Sequence, residues 1–562
     1  MGIGLILVEK GLITRAQLEQ ALAAQRESGE RLDRVLVRLG FVSRAQVLNA
    51  LGDQFQMPVV DLATLSPERH VLETLPTKLV YKQSCVPIER HNGTLTIATS
   101  DPFEITALDE LRLLTGCTIE LVLADEDELT KFIRTNYGVG GDTLDQLSAD
   151  RDDQTEVAVG DADDIEQAQE ASVIKLVNDL LVEAVSERAT DVHIEPYENE
   201  LIVRYRIDGV LQRANVPTTI NRFGNAIVSR LKIMANLNIA EKRRPQDGRI
   251  TFSHRPANGP PEDYDLRMSV IPMLFGEGIV LRILNKTTVL MSLDDLGMPK
   301  PVLDRWDQLI SRPHGILLVT GPTGSGKSTT LYASLNRIVS DEVKVITVED
   351  PVEYNVAGVN QIQVNTKTDL TFAAGLRSIL RHDPDVVMLG EIRDKETAEV
   401  AVQASLTGHL VFSTLHTNDA AGSTTRLLDM GVEPFLVSSS VEGVLAQRLV
   451  RRICPECSQS YSPADENEAI PRGFVMPESG RLVRGTGCRA CRHTGYRGRI
   501  GVYELLCLSA QTRDMIMQRR NGPDIAQQAL ADGDLSKLID DGFTKVRAGQ
   551  TTLSEVARAL SG

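Results

Sequence analysis

In the second half of the chain, short apolar runs alternate with helical stretches. The runs at 315–320 (GILLVT), 343–350 (VKVITVED), 385–391 (DVVMLGE) and 410–416 (LVFSTLH) are polar only at their ends. Strands of that kind belong to a mostly parallel sheet covered by helices on both faces. The region before them has a different period. Leu201, Val203, Tyr205 and Ile207 alternate with Arg204 and Arg206, and residues 264–270 (YDLRMSV) alternate again. Asp208-Gly209 is a hairpin turn signal, and Asp247-Gly248 repeats it ahead of RITFSHR. Val173, Ile174, Val177, Leu180, Leu181 and Ala184 form one helical stripe. The pattern predicts an α+β domain to about residue 290, with arginines on the sheet face opposite the apolar one.

The N-terminus opens on an internal repeat. Residues 11–25 (GLITRAQLEQALAAQ) and 40–54 (GFVSRAQVLNALGDQ) lie 29 residues apart and agree at seven of fifteen positions. Thr14-x-x-Gln17 and Ser43-x-x-Gln46 are capping boxes, so residues 1–60 are expected as two helix-rich units, followed by a less regular α/β region to about 138. Residues 142–170 hold eleven acidic side chains, a single basic one (Arg151) and no aromatic. Such a segment buries too little surface to order itself and is expected as an acidic linker.

Composition adds bounds. The chain has 562 residues, 42% hydrophobic and 24% charged, which fits several globular domains. The net charge of −17 argues against a surface built to neutralise phosphate backbones, but the linker alone carries ten of those charges. No run reaches the roughly 20 apolar residues that span a bilayer. The first apolar run, residues 2–8, lacks a basic flank and is cut by Glu9 and Lys10, so no signal peptide and no direct membrane insertion are expected.

The chemistry is concentrated in a few motifs. Residues 321–328 (GPTGSGKS) match the phosphate-loop pattern between an apolar strand and a helix. Gly321, Pro322, Thr323, Gly324, Ser325, Gly326, Lys327, Ser328 and Thr329 are the nucleotide-binding candidates. Backbone N–H groups cradle phosphate, Lys327 reaches the β/γ oxygens, and the Ser328 hydroxyl ligates Mg²⁺. Hydrolysis also needs acids at neighbouring strand ends. Glu349, Asp350 and Glu353 follow one strand, and Gly390-Glu391 ends another, a variant with Gly at the usual terminal acid. His409 and His416 bracket residues 410–415.

Cys454-x-x-Cys457 and Cys488-x-x-Cys491 have the form of a closed four-thiolate site suited to Zn²⁺, with reduced thiols or a disulfide as alternatives. His493 is a spare ligand, and Cys85, Cys117 and Cys507 read as core residues.

Together, GPTGSGKST, ITVEDPVEY, residues 383–420 (DPDVVMLGE…LHTNDA) and GVLAQRLVRRICPEC resemble the secretion ATPase superfamily, the hexameric motors of type II secretion and type IV pilus assembly. The resemblance covers about 170–562, is closest to the type II branch and has the pilus-extension branch as near neighbour. It implies an α/β multidomain chain: a helix-rich N-terminal docking or regulatory domain (1–138), an acidic linker (139–170), a PAS-like α+β domain (171–292) and a RecA-like ATPase domain (293–562). The last would include a zinc-binding insertion at 450–500 and a C-terminal helical region at 508–562.

It further implies ATP, Mg²⁺ and Zn²⁺ as cofactors, Glu353 as general base and Glu391 as its assistant at Mg²⁺ or water. His409 and His416 become the box histidines. Arg249 and Arg267, with Arg282 as a weaker candidate, are supplied to the γ-phosphate from the preceding domain. The implied setting is a cytoplasmic homo-hexamer recruited by the cytoplasmic domains of inner-membrane platform proteins. The N-terminal repeat also resembles a tandem cyclic di-GMP motif. However, Gly2-Ile3-Gly4 lacks its arginine, and Arg31-Leu32-Asp33 replaces its glycine, so docking is the expected role. A nucleic-acid motor is the rival class, disfavoured by the missing basic or aromatic stripe.

Overall fold

The computed structural model describes residues 3–28, 32–62, 64–65, 67–100, 108–141, 143, 171–255, 261–285, 291–464 and 469–560. Apart from Thr143 and residues 139–141, the acidic linker falls outside them; Val139, expected at its start, is instead buried, and its N–H donates to Asn215 O at 2.8 Å. The chain divides into two units, Met1–Thr287 and Thr288–Gly562.

In the first unit, helices Ile3–Glu9, Arg15–Ser28, Leu32–Arg38 and Arg44–Phe55 bury Ile6, Leu7, Ala21, Val35, Leu36, Val47 and Ala50 against one another. Both helix-start signals are realised as hydrogen bonds. The Thr14 N–H donates to Gln17 Oε1 at 2.8 Å, and the Ser43 N–H donates to Gln46 Oε1 at 2.8 Å. Strands β1 (Cys85–His91), β2 (Thr94–Thr99) and β3 (Thr118–Leu123) follow as a small mixed sheet. Cys85 and Cys117 are buried in its core.

Helix Ala171–Ser186 then packs on a six-stranded antiparallel sheet, β6-β5-β4-β9-β8-β7. Its strands are β4 (Asp191–Pro196), β5 (Leu201–Ile207), β6 (Val210–Arg213), β7 (Gln246–His254), β8 (Glu262–Met273) and β9 (Gly276–Asn285). The buried Tyr205 hydroxyl donates to Leu180 O at 3.1 Å and pins the helix to the sheet. Asp208 (φ 50°) and Gly209 (φ 86°) make the expected tight turn between β5 and β6.

Asp247-Gly248, in contrast, is no turn. Both residues lie inside β7, paired with Ser269 and Met268 of β8. Glycine is needed there for space, because a Cβ on Gly248 would stand 2.9 Å from Ala235 O and 3.0 Å from Leu237.

The second unit is built on one eight-stranded sheet, order β12-β11-β13-β14-β10-β15-β18-β19. Its strands are β10 (Gly315–Thr320), β11 (Val345–Glu349), β12 (Val359–Gln363), β13 (Val386–Leu389), β14 (Leu410–Leu415), β15 (Val441–Ile453), β18 (Tyr496–Cys507) and β19 (Leu535–Ser536). Strands β10 to β15 pair in parallel, while β15–β18 and β18–β19 are antiparallel. Two separate hydrophobic layers cover the faces, one around Trp306, Leu331 and Phe412, the other around Leu376, Val387, Ala401 and Leu506. The small hairpin of β16 (Ser458–Tyr461) and β17 (Leu482–Gly485) lies between β15 and β18 in sequence. Helices Ala510–Met517, Gly522–Asp532, Leu538–Arg547 and Leu553–Leu560 complete the unit. No helix among the described residues is long and apolar enough to cross a membrane.

Candidate active site

Parallel pairing aligns the C-terminal ends of β10, β11, β13 and β14 along one edge, where open α/β sheets bind ligands. From β10 the chain turns through residues 321–326 into helix Lys327–Ile338. Gly321 (φ 145°) and Gly326 (φ 90°) are in the region that favours glycine. A Cβ on Gly321 would come within 2.4 Å of Gln447 O, and one on Gly326 within 2.7 Å of Gln447 Nε2. Gln447 of β15 braces this loop from beneath. Its Nε2 donates to Ser325 O at 2.8 Å, and its Oε1 accepts from Thr330 Oγ1 at 2.7 Å. Lys327 Nζ donates to Gly321 O at 2.8 Å and Pro322 O at 3.1 Å. Burial, joined by the Arg448 guanidinium, pulls its ammonium down to about 8, against the opposing pull of Glu391. Ser328 is exposed and Thr329 half-buried at the helix start. Free N–H groups and helix-dipole positive charge at such a terminus suit an anionic phosphate chain, with the Ser328 hydroxyl able to hold its Mg²⁺.

The three acids at and after the end of β11 separate clearly. Glu349 is buried, and accepts from the Tyr332 hydroxyl, Thr347 Oγ1 (2.5 Å) and Gln361 Nε2 (3.1 Å). Asp350 is exposed, and Glu353 is half-buried. After β13, the chain turns at Gly390, whose carbonyl accepts from Thr414 Oγ1 at 2.7 Å. Glu391 then pairs with Arg393 and with His416 Nε2, the latter at 3.4 Å. Burial raises its carboxyl, but Arg393 and His416 more than offset this and hold it below the usual carboxylate range. An ionised Glu391 near Lys327 is the group a divalent cation or an attacking water requires.

The structure thus brings residues 321–329, Glu353, Glu391 and His416 to one edge. His409 is not among them. It precedes β14, at the opposite end of that strand, roughly 23 Å from His416 over seven extended steps. Its Nδ1 lies 2.9 Å from Ala404 O and 3.2 Å from Thr407 Oγ1, closing the end of the preceding helix.

Arg249 and Arg267 belong to the first unit, where register makes them direct partners across β7 and β8. The same row continues through Arg282 on β9, Asp191 on β4 and Arg206 on β5. Four guanidiniums and a single carboxylate thus share one line across five strands. Asp191 pairs with Arg282 (3.2 Å) and Arg206 (3.6 Å), and the buried Asp265 pairs with Arg249. The weaker candidate, Arg282, stands in the same row as the two favoured ones.

The four cysteines converge between β15 and β18. Their sulfurs lie within 4.8 Å of one another, with Cys454–Cys488 and Cys457–Cys491 at 3.8 Å and Cys488–Cys491 at 3.7 Å. Thiolates about 2.3 Å from one Zn²⁺ at tetrahedral corners stand roughly 3.8 Å apart. A disulfide would need about 2 Å. The N–H groups of Cys488 (3.1 Å) and Gly495 (3.3 Å) donate to Cys491 Sγ, favouring its thiolate. The cluster can hold a metal such as zinc. His493 Nitrogen donors are not needed to complete it, and Cys507 is half-buried at the end of β18.

Sequence reasoning missed Tyr332, Gln447 and Arg393. Gln447 gave no signal beyond being a lone amide in an apolar strand, and Tyr332 looked like one more core aromatic. Arg393, two residues after Glu391, was readable as a charge partner.

A phosphate loop, a flanking strand-end acid and a third strand between them define a P-loop nucleoside-triphosphatase. The chain belongs to the family described as "Type II/IV secretion system protein", whose model matches residues 166–558, and it is an ATPase. A second model, the MshEN domain, matches 55–143. The type IV pilus assembly ATPase PilB of Myxococcus xanthus is 41% identical, covering 99% of this chain and 98% of its own. The type II secretion system protein E of Xanthomonas campestris is also 41% identical, covering 98% of this chain and 97% of its own. Among solved structures, the ATPase DotB of Yersinia pseudotuberculosis shares the fold, with a TM-score of 0.50, 19% identity, and coverage of 69% of this chain and 93% of that one.

Proposed function

We propose that this chain is the ATP-driven motor of pseudopilus assembly for type II protein export, working as a cytoplasmic homo-hexamer. The ionised Glu391 beside Lys327 on the phosphate-loop edge carries the ATPase part of this reading. Glu353 accepts the proton of the attacking water, Ser328 and Glu391 serve Mg²⁺, and His416 holds Glu391. Arg249 and Arg267 neutralise charge on the γ-phosphate from a neighbouring position, which would tie hydrolysis to domain motion. Zn²⁺ is the metal we assign to Cys454, Cys457, Cys488 and Cys491, on their spacing. The N-terminal domain, 1–138, docks on a membrane platform protein, with 139–170 as its tether to 171–292 and 293–562.

Export is favoured by the motif run around His416 and by relatives named type II secretion proteins, such as that of Vibrio cholerae at 47% identity over 78% of this chain. Pilus extension is the second reading, supported by the full-length match to a pilus assembly ATPase. The test is deletion of the chromosomal copy followed by complementation with this chain or with Glu353→Gln. Export restored by the first and not by the second supports the proposal, with ATP binding retained in the variant. Restoration of surface pili instead would overturn the export reading, and turnover by Glu353→Gln would overturn the base assignment.

A further inference from the structure

Glu349 is buried, yet it lies four residues from the proposed base. It is the hub of a side-chain network that reaches both the phosphate-loop helix and the base segment. The Tyr332 hydroxyl, in helix Lys327–Ile338, donates to Glu349 Oε2. The Tyr332 hydroxyl oxygen in turn accepts the Glu353 N–H at 3.2 Å. Burial and the Glu349 carboxylate push the Tyr332 hydroxyl far up, so it stays protonated and donates in that one direction. Gln361, on β12, donates from Nε2 to Glu349 Oε1 (3.1 Å) and to Tyr354 O (2.9 Å), while its Oε1 accepts the Val356 N–H at 2.9 Å. Segment 353–356 is therefore held at three backbone points by two side chains, and both bind Glu349. The Tyr332 and Tyr354 rings meet edge to face with centroids 6.0 Å apart, limiting rotation of the tyrosine that carries the hydroxyl.

A hydroxyl has one proton to give and lone pairs to accept with. Tyr332 uses both sides, with Glu349 at one and the Glu353 N–H at the other. Its ring rides on the helix whose first turn grips the nucleotide phosphates.

We propose that Tyr332 is a positioning residue for hydrolysis: its hydroxyl, oriented by Glu349, couples the phosphate-loop helix to the backbone of Glu353. Loading the phosphate loop then sets the carboxylate that receives the water proton. This rests on Glu353 as the base and adds the device that holds it in place. Glu349, by the same geometry, acts through Tyr332 and not on water.

The experiment is steady-state ATP hydrolysis and binding of a fluorescent ATP analogue by the full chain carrying Tyr332→Phe, Glu353→Gln or both. The expected result for Tyr332→Phe is a kcat lowered about tenfold, with KM and analogue affinity within twofold of the parent chain. In the Glu353→Gln background the tyrosine substitution should lower the residual rate no further, since it acts through the group already removed. If Tyr332→Phe is insoluble, Tyr332→Phe with Glu349→Gln removes the buried charge together with its donor and carries the same readouts. A normal kcat in Tyr332→Phe beside an inactive Glu353→Gln overturns the relay alone. Loss of nucleotide affinity in step with kcat, or an additive double variant, also overturns it. Full turnover by Glu353→Gln overturns the base assignment and with it the relay's target.

Discussion

Gln447 Nε2 donates to the Ser325 carbonyl at 2.8 Å while its Oε1 takes the Thr330 hydroxyl proton at 2.7 Å. One buried amide thereby fixes the phosphate loop and the first turns of its helix to β15. Gln447→Leu would leave a buried carbonyl and a hydroxyl unpaired, at a cost of about 1 to 3 kcal/mol. Part of that cost falls on nucleotide binding. An affinity for ATP lowered roughly tenfold, with secondary structure intact by circular dichroism, is the expected outcome.

Lys327 carries a pH dependence with a definite sign. Its ammonium, pulled down to about 8 by burial, loses its proton in the free protein above that pH, whereas bound triphosphate favours the charged form. Nucleotide affinity should stay flat to about pH 7.5 and fall above pH 8, by up to about tenfold per unit, with proton uptake on binding. Calorimetry in buffers of different ionisation enthalpy reads that proton directly. Lys327→Arg, charged at every accessible pH, should bind less well but without this pH dependence.

Glu555 ties the last helix to β15. Its carboxylate accepts from the Arg451 backbone (3.0 Å) and the Arg451 guanidinium (2.9 Å), and from Arg558 (2.5 Å), with the glutamate side chain 1% exposed. Burial raises its carboxyl, but these donors prevail and bring it to about 2. A depressed carboxyl contributes stability that is fully present above the ordinary value and lost as pH falls through about 4.5 to 2. We expect Glu555→Gln to destabilise the second unit by about 2 to 3 kcal/mol at pH 7. The difference should vanish near pH 2, as followed by denaturant melts.

The cysteine cluster makes its own prediction. Freshly purified chain should hold one equivalent of zinc by elemental analysis, because the sulfur spacing suits tetrahedral thiolates. Stripping it, or Cys491→Ser, should lower the melting temperature of the second unit.

Much of the site was legible because its chemistry needs short, local patterns. The loop GPTGSGKS could be placed from its motif, and the strands leading to Glu349 and Glu391 from apolar runs, since a parallel sheet forces strand ends to one edge. The tight turn at Asp208-Gly209 was legible for the same local reason. Asp247-Gly248 misled because glycine there answers a long-range need, the close approach of residues 235–237. His409 and His416 bracket β14 as read, but the two ends of one strand lie far apart, so only His416 meets Glu391. Tyr332, Gln447 and the arginine row depend on pairing between residues 15 or more positions apart, which no local window contains.

Strand β15 has a last consequence. It contains Gln447 under the phosphate loop and leads into Cys454, hydrogen-bonded to β10 over its first half and to β18 along nearly its whole length, with one register irregularity between Arg451 and Ile453. Seven extended residues cover about 23 Å, and a strand bonded in this way bends mainly where its register breaks. The loop and the cysteine cluster are thus joined by one continuous strand. A load applied at the cluster reaches the phosphate loop through Gln447, with residues 451–453 as the one irregular step on the way.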